Sequence, residues 1–226
     1  METSLHRDLK ARYAGNDAQF EVSLGGYRID VASGDRLVEI QLGSLAAIRD
    51  KVRALLKGHT IVVVKPIVVR KTLVKRVQED GPVASRRLSP KRGTILDLFD
   101  ELIHFSRVFP HERLTLEVPL IDIEEWRYPG HGRRRRWRQD DYQVEDQKLV
   151  AVHQTHQFQT AADLARLVSC PLPRQFHTGQ LAESLGVHRW LAQRIAYCLR
   201  QTGAVCEVGK QGNARLYEFA PARKVA

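Results

Sequence analysis

Two runs of alternating polar and apolar residues, YRIDVA (27–32) and RLVEIQL (36–42), decide the fold, and only Ser33-Gly34-Asp35 separates them. Successive side chains of a strand point to opposite faces of a sheet, so this pattern with a short turn predicts an antiparallel hairpin. The preceding run FEVSL (20–24) ends at Gly25-Gly26 and predicts a third strand. We therefore predict a three-stranded meander near the start of the chain.

Helical patterns flank this meander on both sides. Apolar residues recur at every fourth position from Leu5 to Tyr13 and predict an amphipathic helix over residues 2–14. Ser44 caps a second predicted helix that ends at Gly58, and the apolar run TIVVV (60–64) predicts a buried strand after it. The order helix, three strands, helix, strand predicts a compact α/β core over residues 2–68.

The middle of the chain is more polar. Residues 71–93 are basic and are interrupted by Gly-Pro and Ser-Pro pairs, so we interpret them as a connecting loop or flexible arm. Residues 94–105 have helical spacing, while residues 114–123 and 148–153 predict two paired strands. These two strands form a predicted hairpin with a long, charged tip.

Two acids fall on neighbouring strands of the meander. Asp30 lies on the second predicted strand, and Glu39 and Gln41 project from one face of the third. If the turn between the strands occupies residues 33–36, Asp30 pairs directly with Glu39. Like charges in such a pair destabilise a sheet unless they hold a cation, and oxygen ligands suit Mg²⁺ or Mn²⁺. The alternative is that all three are solvated polar residues on an exposed face.

Over residues 2–68 this order of elements and acids resembles the PD-(D/E)XK, or restriction-endonuclease-like, nucleases. The resemblance implies an α/β (α+β) fold with a central mixed sheet flanked by helices. It also implies a metal ion held by Asp30 and Glu39 for phosphodiester hydrolysis. The family often has a further acid on its first helix, where Glu2 would stand on the buried face. Gln41 occupies the place of the family's lysine.

The missing lysine leaves the activity open. An ammonium group positions the attacking water and offsets negative charge in the transition state, whereas glutamine offers only dipoles. Lys65 on the next strand or Lys51 on the second helix could supply that charge. The chain is therefore either a Mg²⁺-dependent deoxyribonuclease or a DNA-binding regulator that retains an inactive nuclease fold.

The last third of the chain changes character. Helical patterns cover residues 160–169, 178–185 and 188–201, with a glycine turn between the last two, and a β-hairpin follows. This order resembles a winged helix, and we predict domains over residues 1–153 and 154–226. The resemblance implies that the last helix enters the major groove of DNA. The predicted DNA contacts are Arg189, Gln193 and Arg194 on its outer surface, where Arg200 also lies, and Lys210 on the wing, with Trp190 as a packing residue. Winged helices also dock proteins, which gives an adaptor as a third hypothesis.

A basic run occupies the predicted hairpin tip: Arg133, Arg134, Arg135, Arg136 and Arg138, with Trp137 among them. Arginine forks match phosphate oxygens, and an aromatic ring can stack on a base. We interpret the run as a DNA contact. The alternative is a solvated tip balanced by nearby acids such as Asp140 and Asp141.

Composition agrees with a polyanionic partner. The 226 residues carry 36 Lys and Arg against 26 Asp and Glu, a net charge of +10. No stretch is apolar enough to span a bilayer and the first residues do not resemble a signal peptide, so we expect no membrane contact and a cytoplasmic protein. A homodimer or a partner protein would also fit.

The three cysteines have neither disulfide nor zinc spacing, and we expect core thiols.

Overall fold

The computed structural model describes residues 2–130 and 141–221. Its helices are α1 (Ser4–Tyr13), α2 (Arg49–Leu55), α3 (Leu98–Leu102), α4 (Ala161–Arg166), α5 (Thr178–Leu185) and α6 (Arg189–Gln201), and 3-10 turns at Leu45–Ile48 and Ile95–Asp97 precede α2 and α3. Its strands are β1 (Gln19–Leu24), β2 (Tyr27–Ser33), β3 (Arg36–Ile40), β4 (Thr60–Val64), β5 (Ile67–Arg76), β6 (Val83–Leu88), β7 (Leu114–Pro129), β8 (Tyr142–Phe158), β9 (Val205–Gln211) and β10 (Ala214–Phe219).

The fold is α+β, with a central mixed sheet flanked by helices. The sheet has eight strands in the order β1-β2-β3-β4-β7-β5-β6, and β8 pairs with β7. The predicted meander β1-β2-β3 is antiparallel, and β3 pairs with β4 in parallel. The α2 crossover between β3 and β4 is the parallel connection that the sequence predicts, which confirms that part of the fold.

Strands β4 and β5 run one after the other along the same edge of β7. Ile61 of β4 pairs with Leu114, and Ile67 of β5 pairs with Leu120. In both pairs the two residues are 53 positions apart in the sequence, so β5 continues the register of β4 along β7. Lys65 and Pro66 form the short break between the two strands. Strand β8 fills the other edge of β7, so β7 lies in the interior of the sheet along its length.

Helices cover the two faces of the sheet. Leu5 and Leu9 of α1 are buried against Val38 and Ile40 on one face. Helices α2 and α3 lie on the opposite face, in the larger cluster that also contains Leu37. The apolar residues at every fourth position of α1 thus form the buried face of the helix, as their spacing predicts.

The C-terminal elements pack on α3. Phe176 forms an isolated β-bridge with Tyr217, which brings the segment before α5 beside the β9–β10 hairpin. On α6, the Cys198 thiol donates to the backbone oxygen of Phe99 over 3.5 Å. A single buried cluster therefore includes residues on both sides of the predicted domain boundary, and that boundary stays a prediction.

The structure corrects three expectations. Residues 71–93 are no loop, because most of β5 and all of β6 form a hairpin there. Every residue of β6 is exposed, and an exposed edge strand needs no apolar pattern, which is why its sequence resembles a loop. The second hairpin is longer than predicted, since β7 and β8 extend to Pro129 and from Tyr142. Of the cysteines, Cys206 is exposed, because β9 faces solvent beyond Val205.

Within the described ranges, no helix is both long and apolar enough to cross a membrane.

Candidate functional site

Asp30 lies where strands β2 and β3 separate. The ladder between them ends at the pair of Val31 with Val38, so it does not include the predicted pair of Asp30 with Glu39, although one further step of the register would bring the two opposite. Instead of a further ladder bond, the Ile40 amide donates to Asp30 Oδ2 over 2.7 Å. On the other side of β2, Glu21 of β1 has a left-handed φ of 56° and interrupts the ladder at the same level. The carboxylate of Asp30 therefore acts as a hydrogen-bond acceptor in the gap between two strands.

Glu39 brings a second carboxylate to this gap. Its side chain is buried, and Lys51 Nζ of α2 lies 2.5 Å from Glu39 Oε2. Burial raises the pKa of Glu39, the Lys51 ammonium opposes that rise, and the negative charge of Asp30 adds to it. The charge of Asp30 thus acts on the ionisation of Glu39, and Lys51 acts on both acids.

His6 of α1 approaches the acids from the other face of the sheet. Its Nε2 lies 3.4 Å from Asp30 Oδ2 and 3.2 Å from the Ile40 carbonyl oxygen, and its Nδ1 lies 2.8 Å from Glu2 Oε1. The hydrogen bond to Asp30 raises the pKa of His6, against the opposing effect of burial. Burial pushes the pKa of Asp30 upward, but the bonds from His6 and the Ile40 amide outweigh it and the pKa falls. His6 therefore contacts three oxygens, two of them through Nε2.

Lys51, and not Lys65, is the lysine that reaches the acids. Lys65 Nζ donates to the backbone oxygens of Leu42 and Gly43 and lies 3.4 Å from Glu101 of α3. Its ammonium is thus engaged at the start of the segment that leads to α2. The positive charge next to Glu39 comes from the helix after β3.

Gln41 and Glu2 occupy different surroundings from those predicted. Gln41 Nε2 donates to the Ser44 carbonyl oxygen over 2.7 Å, which fixes the turn after β3. Glu2 precedes the N-cap residue Thr3, is exposed, and lies 2.5 Å from Lys10 Nζ. The prediction that Glu2 lies on the buried face of the helix is wrong, because the helix begins after it. Its link to the acids runs through His6.

The donor atoms at this gap are mainly oxygens. The carboxylates of Asp30 and Glu39 and the carbonyl of Ile40 are hard ligands of the kind that Mg²⁺ and Mn²⁺ accept. Across residues 2–130 and 141–221, no group of three or more His, Cys, Asp or Glu side chains has an arrangement suited to a metal ion. A divalent ion would therefore depend on two carboxylates, the carbonyl oxygen and water.

The outer surface of α6 exposes the polar residues predicted for it. Arg189, Gln193 and Arg194 are exposed, and Arg200 is half-buried and lies 3.5 Å from Glu207. A cavity of about 250 Å³ lies between α6 and the β9–β10 hairpin, lined by Thr178, Arg189, Gln193, Asn213, Ala214, Arg215 and Tyr217. This side of α6 thus presents a concave surface rich in hydrogen-bond donors.

Three further predictions concern Trp190, Lys210 and the basic run. Trp190 is 49% exposed and stacks with Arg194, whose Cζ lies 4.8 Å from the ring centre, so the expected packing role is wrong. Lys210 is exposed within β9, and the turn of the hairpin lies beyond it at Gly212-Asn213. The basic run Arg133–Arg138 lies outside the described residues.

Helix α3 links α6 to the strand end that carries the acids. Glu101 Oε2 accepts from the Leu45 amide over 2.9 Å, directly after the turn that follows β3. The neighbouring Asp100 forms an ion pair with Arg194 over 2.7 Å. Adjacent residues of one short helix therefore hold the start of the α2 segment and the outer surface of α6.

His6 is the site residue that sequence reasoning missed. It stands one residue after Leu5, on the border of the buried stripe of α1. Its spacing of four from Glu2 was visible in the sequence, but a histidine beside a helix stripe is common and its reach toward Asp30 depends on how α1 crosses the sheet. The sequence offered no further signal for it.

Comparisons with other proteins give a family and a relative. A family model described as a domain of unknown function (DUF8091) matches residues 3–159. An uncharacterized protein from Treponema pallidum (strain Nichols) is 31% identical over 222 residues, which cover 97% of this chain and 86% of that protein. No solved structure matches the chain at a significant level. The family match includes His6, Asp30, Glu39 and Lys51, and it ends before α4.

Proposed function

The chain belongs to the family described as a domain of unknown function (DUF8091), and we propose that its domain is a metal-dependent DNA endonuclease of the PD-(D/E)XK kind. The observation that carries this proposal is the position of Asp30 and Glu39 where β2 and β3 separate, with Lys51 Nζ 2.5 Å from Glu39. Two acids can hold a metal ion that activates water, and a neighbouring lysine can offset negative charge on the phosphate.

The donor set fits a hard divalent ion. Asp30, Glu39 and the Ile40 carbonyl would hold Mg²⁺ or Mn²⁺, and such an ion supplies activation of water and neutralisation of charge on the phosphate. His6 Nε2 contacts two of the same oxygens, so the imidazole and the ion compete for them. While His6 is bound, its hydrogen bond and that of the Ile40 amide lower the pKa of Asp30, and a cation in place of His6 would likewise favour the ionised carboxylate.

In this proposal a lysine of α2, Lys51, supplies the positive charge that the family's lysine supplies from the strand. Gln41 hydrogen-bonds the turn at Ser44, which leaves the ammonium of Lys51 as the cation beside Glu39. That ammonium would offset negative charge on the scissile phosphate. The substitution of glutamine for the strand lysine is therefore compatible with activity.

A winged helix would select the DNA. This part of the proposal is supported by the order of the C-terminal elements: α4, the β-bridge at Phe176, α5, α6 and the β9–β10 hairpin. The donor-rich outer surface of α6 supports it as well. Arg189, Gln193 and Arg194 are then the candidates for base-edge and phosphate contacts, with Lys210 on the wing. The contacts of α3 would keep this module next to the acids.

A plasmid-nicking assay with Mg²⁺ or Mn²⁺ tests the proposal. Asp30→Asn and Glu39→Gln should each lower the rate at least about 100-fold, and Lys51→Met should do the same because the charge beside the phosphate is lost. Asp50→Asn on the exposed side of α2 is the matched control and should leave nicking unchanged. Nicking by Asp30→Asn at the rate of the parent protein would exclude the assignment.

A second candidate function is DNA binding without cleavage. The acids already have partners, since Glu39 pairs with Lys51 and Asp30 with His6, and these contacts could serve the fold alone. In that case the parent protein retards duplex DNA but produces no nicked plasmid with either metal. Binding that weakens steeply with salt would still separate a DNA regulator from a protein adaptor.

A further inference from the structure

We propose that the β5–β6 hairpin and the residues that follow it, up to residue 93, form a docking surface for the backbone of duplex DNA. We call this segment, residues 67–93, the basic arm. The inference rests on the proposed function, because it assigns a second contact for the same DNA. It concerns residues to which the nuclease and winged-helix resemblances give no role.

The arm carries more positive charge than its own acids can balance. Residues 67–93 contain eight Lys and Arg against two acids, Glu79 and Asp80. Three of the cations are engaged by other strands: Lys71 with Glu125, Arg76 with Glu145, and Arg86 with Glu124. The remaining five are exposed and form no ion pair with any residue in the described ranges: Arg70, Lys75, Arg87, Lys91 and Arg92.

The sheet register gathers these free cations along one structure. Lys75 pairs with Ser85 and Leu73 pairs with Arg87, so Lys75 and Arg87 are diagonal neighbours on one face, roughly 7 Å apart. The chain then runs back beside β5, since the Ser89 amide donates to the Lys71 carbonyl and the Gly93 amide to the Val68 carbonyl. Lys91 and Arg92 therefore lie near Arg70 at the base of the arm.

The arm extends from the end of the sheet that carries the acids. Glu39 pairs with Val63 near the end of β4, and β5 continues in the same direction from Ile67. From Val63 to Arg70 the strands advance roughly 20 Å, which is less than one turn of B-DNA. A duplex whose phosphodiester lay at the acids could thus reach the arm within the same turn.

The chemistry of the arm favours the phosphate backbone of a duplex. No Phe, Trp or Tyr occurs between residues 67 and 93, so the arm has no ring on which an unpaired base could stack. Arginine and lysine without acidic partners are the groups that contact phosphates and fix the register of a protein on DNA. The arm therefore suits a duplex better than a single strand.

A second copy of the chain is the other occupant that an edge strand suggests. Strand β6 ends the sheet, and its outer edge is open among the described residues. Arg86 and Arg87 stand in the middle of this strand, and two such edges side by side would bring like charges together. Charge therefore disfavours pairing between copies and favours a polyanion.

Salt-dependent binding tests the inference. We would measure the Kd for a duplex about three helical turns long by fluorescence anisotropy over a range of KCl concentrations, without divalent metal. The arm variant combines Arg70→Gln, Lys75→Gln, Arg87→Gln and Arg92→Gln. The control combines Arg12→Gln, Arg53→Gln, Lys57→Gln and Arg107→Gln, which are exposed cations outside the arm with the same total charge. A milder variant, Lys75→Gln with Arg87→Gln, guards against misfolding of the fourfold change.

The expected result is a smaller slope of log Kd against log salt for the arm variant. Each lost phosphate contact lowers the slope by about 0.9, so four contacts lower it by up to about 3.6 and the milder variant by up to about 1.8. The control should keep the parent slope. Equal slopes for the arm and control variants overturn the inference. It is also overturned if the parent protein is a dimer, the arm variant is a monomer, and the two have the same slope.

The test also separates this inference from the nuclease assignment. Arm-dependent binding by a parent protein that nicks no plasmid supports the docking surface and contradicts the nuclease. If the parent protein nicks plasmid with metal and the arm and control variants have equal salt slopes of log Kd, the nuclease is supported and the docking surface is overturned. A parent protein that does not bind duplex DNA at all overturns both.

Discussion

Asp30 has two roles that a choice of substitution can separate. Its carboxylate accepts the Ile40 amide, which stabilises the point where β2 and β3 part, and it also carries the charge that a metal would need. Asparagine keeps one oxygen as an acceptor and removes the charge, whereas alanine removes both. Asp30→Asn is therefore the informative change, because its fold should survive while metal binding is lost.

Among residues 2–130 and 141–221, Glu125 is the buried carboxylate with the most cationic neighbours. It is 3% exposed, it lies 2.6 Å from Lys71, and it also accepts from Arg127 and from Gln147. Burial raises its pKa, but the Lys71 and Arg127 contacts outweigh burial and the pKa lies below the ordinary 4.5. Such a group adds stability above its unfolded-state pKa, and that stability is lost as the pH falls through the folded-state pKa.

We expect Glu125→Gln to lower the free energy of unfolding by about 2–4 kcal/mol near neutral pH, because the half-buried cations Lys71 and Arg127 lose the charge of their buried partner. At an acidic pH well below 4.5 the difference from the parent should narrow, since protonation of the Glu125 carboxylate removes the charge that Lys71 and Arg127 stabilise. Urea unfolding at both pH values measures this. Glu112→Gln, at a side chain that is 79% exposed, is the control. A difference that does not change with pH would contradict the role of the charge.

The sequence predicted the pair of acids but not the groups around them. The alternation of β2 and β3 and the short turn between them suffice to place both acids near the point where the two strands separate, and the ladder itself ends one pair earlier, at Val31 and Val38. Lys51 could be proposed but not chosen over Lys65, because which lysine reaches Glu39 depends on the angle at which α2 returns over the sheet. Local sequence carries no information on that angle.

At the level of elements, the arm shows where sequence patterns are weakest. The meander and the first helices were predictable, because each has one buried face and an apolar period to match. Strand β6 has no buried residue and β5 mixes buried and exposed positions, so residues 71–93 lack a strand pattern. Their hairpin depends on pairing with β7, whose residues lie about fifty positions later.

Gly93 closes the base of the arm against β5. A Cβ at this position would meet the Val68 carbonyl oxygen at 2.4 Å, the same oxygen that accepts the Gly93 amide. We expect Gly93→Ala to destabilise the fold by about 1–3 kcal/mol and to speed hydrogen exchange of the β6 amides. Gly58→Ala is the matched control, because a Cβ there meets nothing within 4 Å. Unchanged exchange in Gly93→Ala would show that the base of the arm tolerates the extra methyl group.

At the level of the whole molecule, one buried cluster joins the central sheet to the C-terminal helices. Phe99 and Leu102 of α3 and Ile195 and Leu199 of α6 are each 0% exposed and belong to the same cluster as Leu37 of β3. Contacts of this kind couple the folding of the parts they join, so the predicted domains should not unfold separately.

We expect a single cooperative unfolding transition, and Phe99→Ala should lower its free energy by about 3–5 kcal/mol. Circular dichroism reports the whole chain, and the fluorescence of Trp190 and Trp126 in single-tryptophan variants reports α6 and β7. All three signals should shift together. Separate midpoints for the two tryptophans would indicate that α6 unfolds independently of the sheet.

The position of β7 has a consequence for synthesis on the ribosome. Strand β4 is fully synthesised at Val64, yet its backbone groups that pair with β7 remain unpaired until residues 114–117 have been synthesised. Parallel pairings over such a distance form late and have high contact order. A nascent chain therefore passes through a stage with an unshielded, strongly apolar strand, and this is the stage at which a chaperone would bind it.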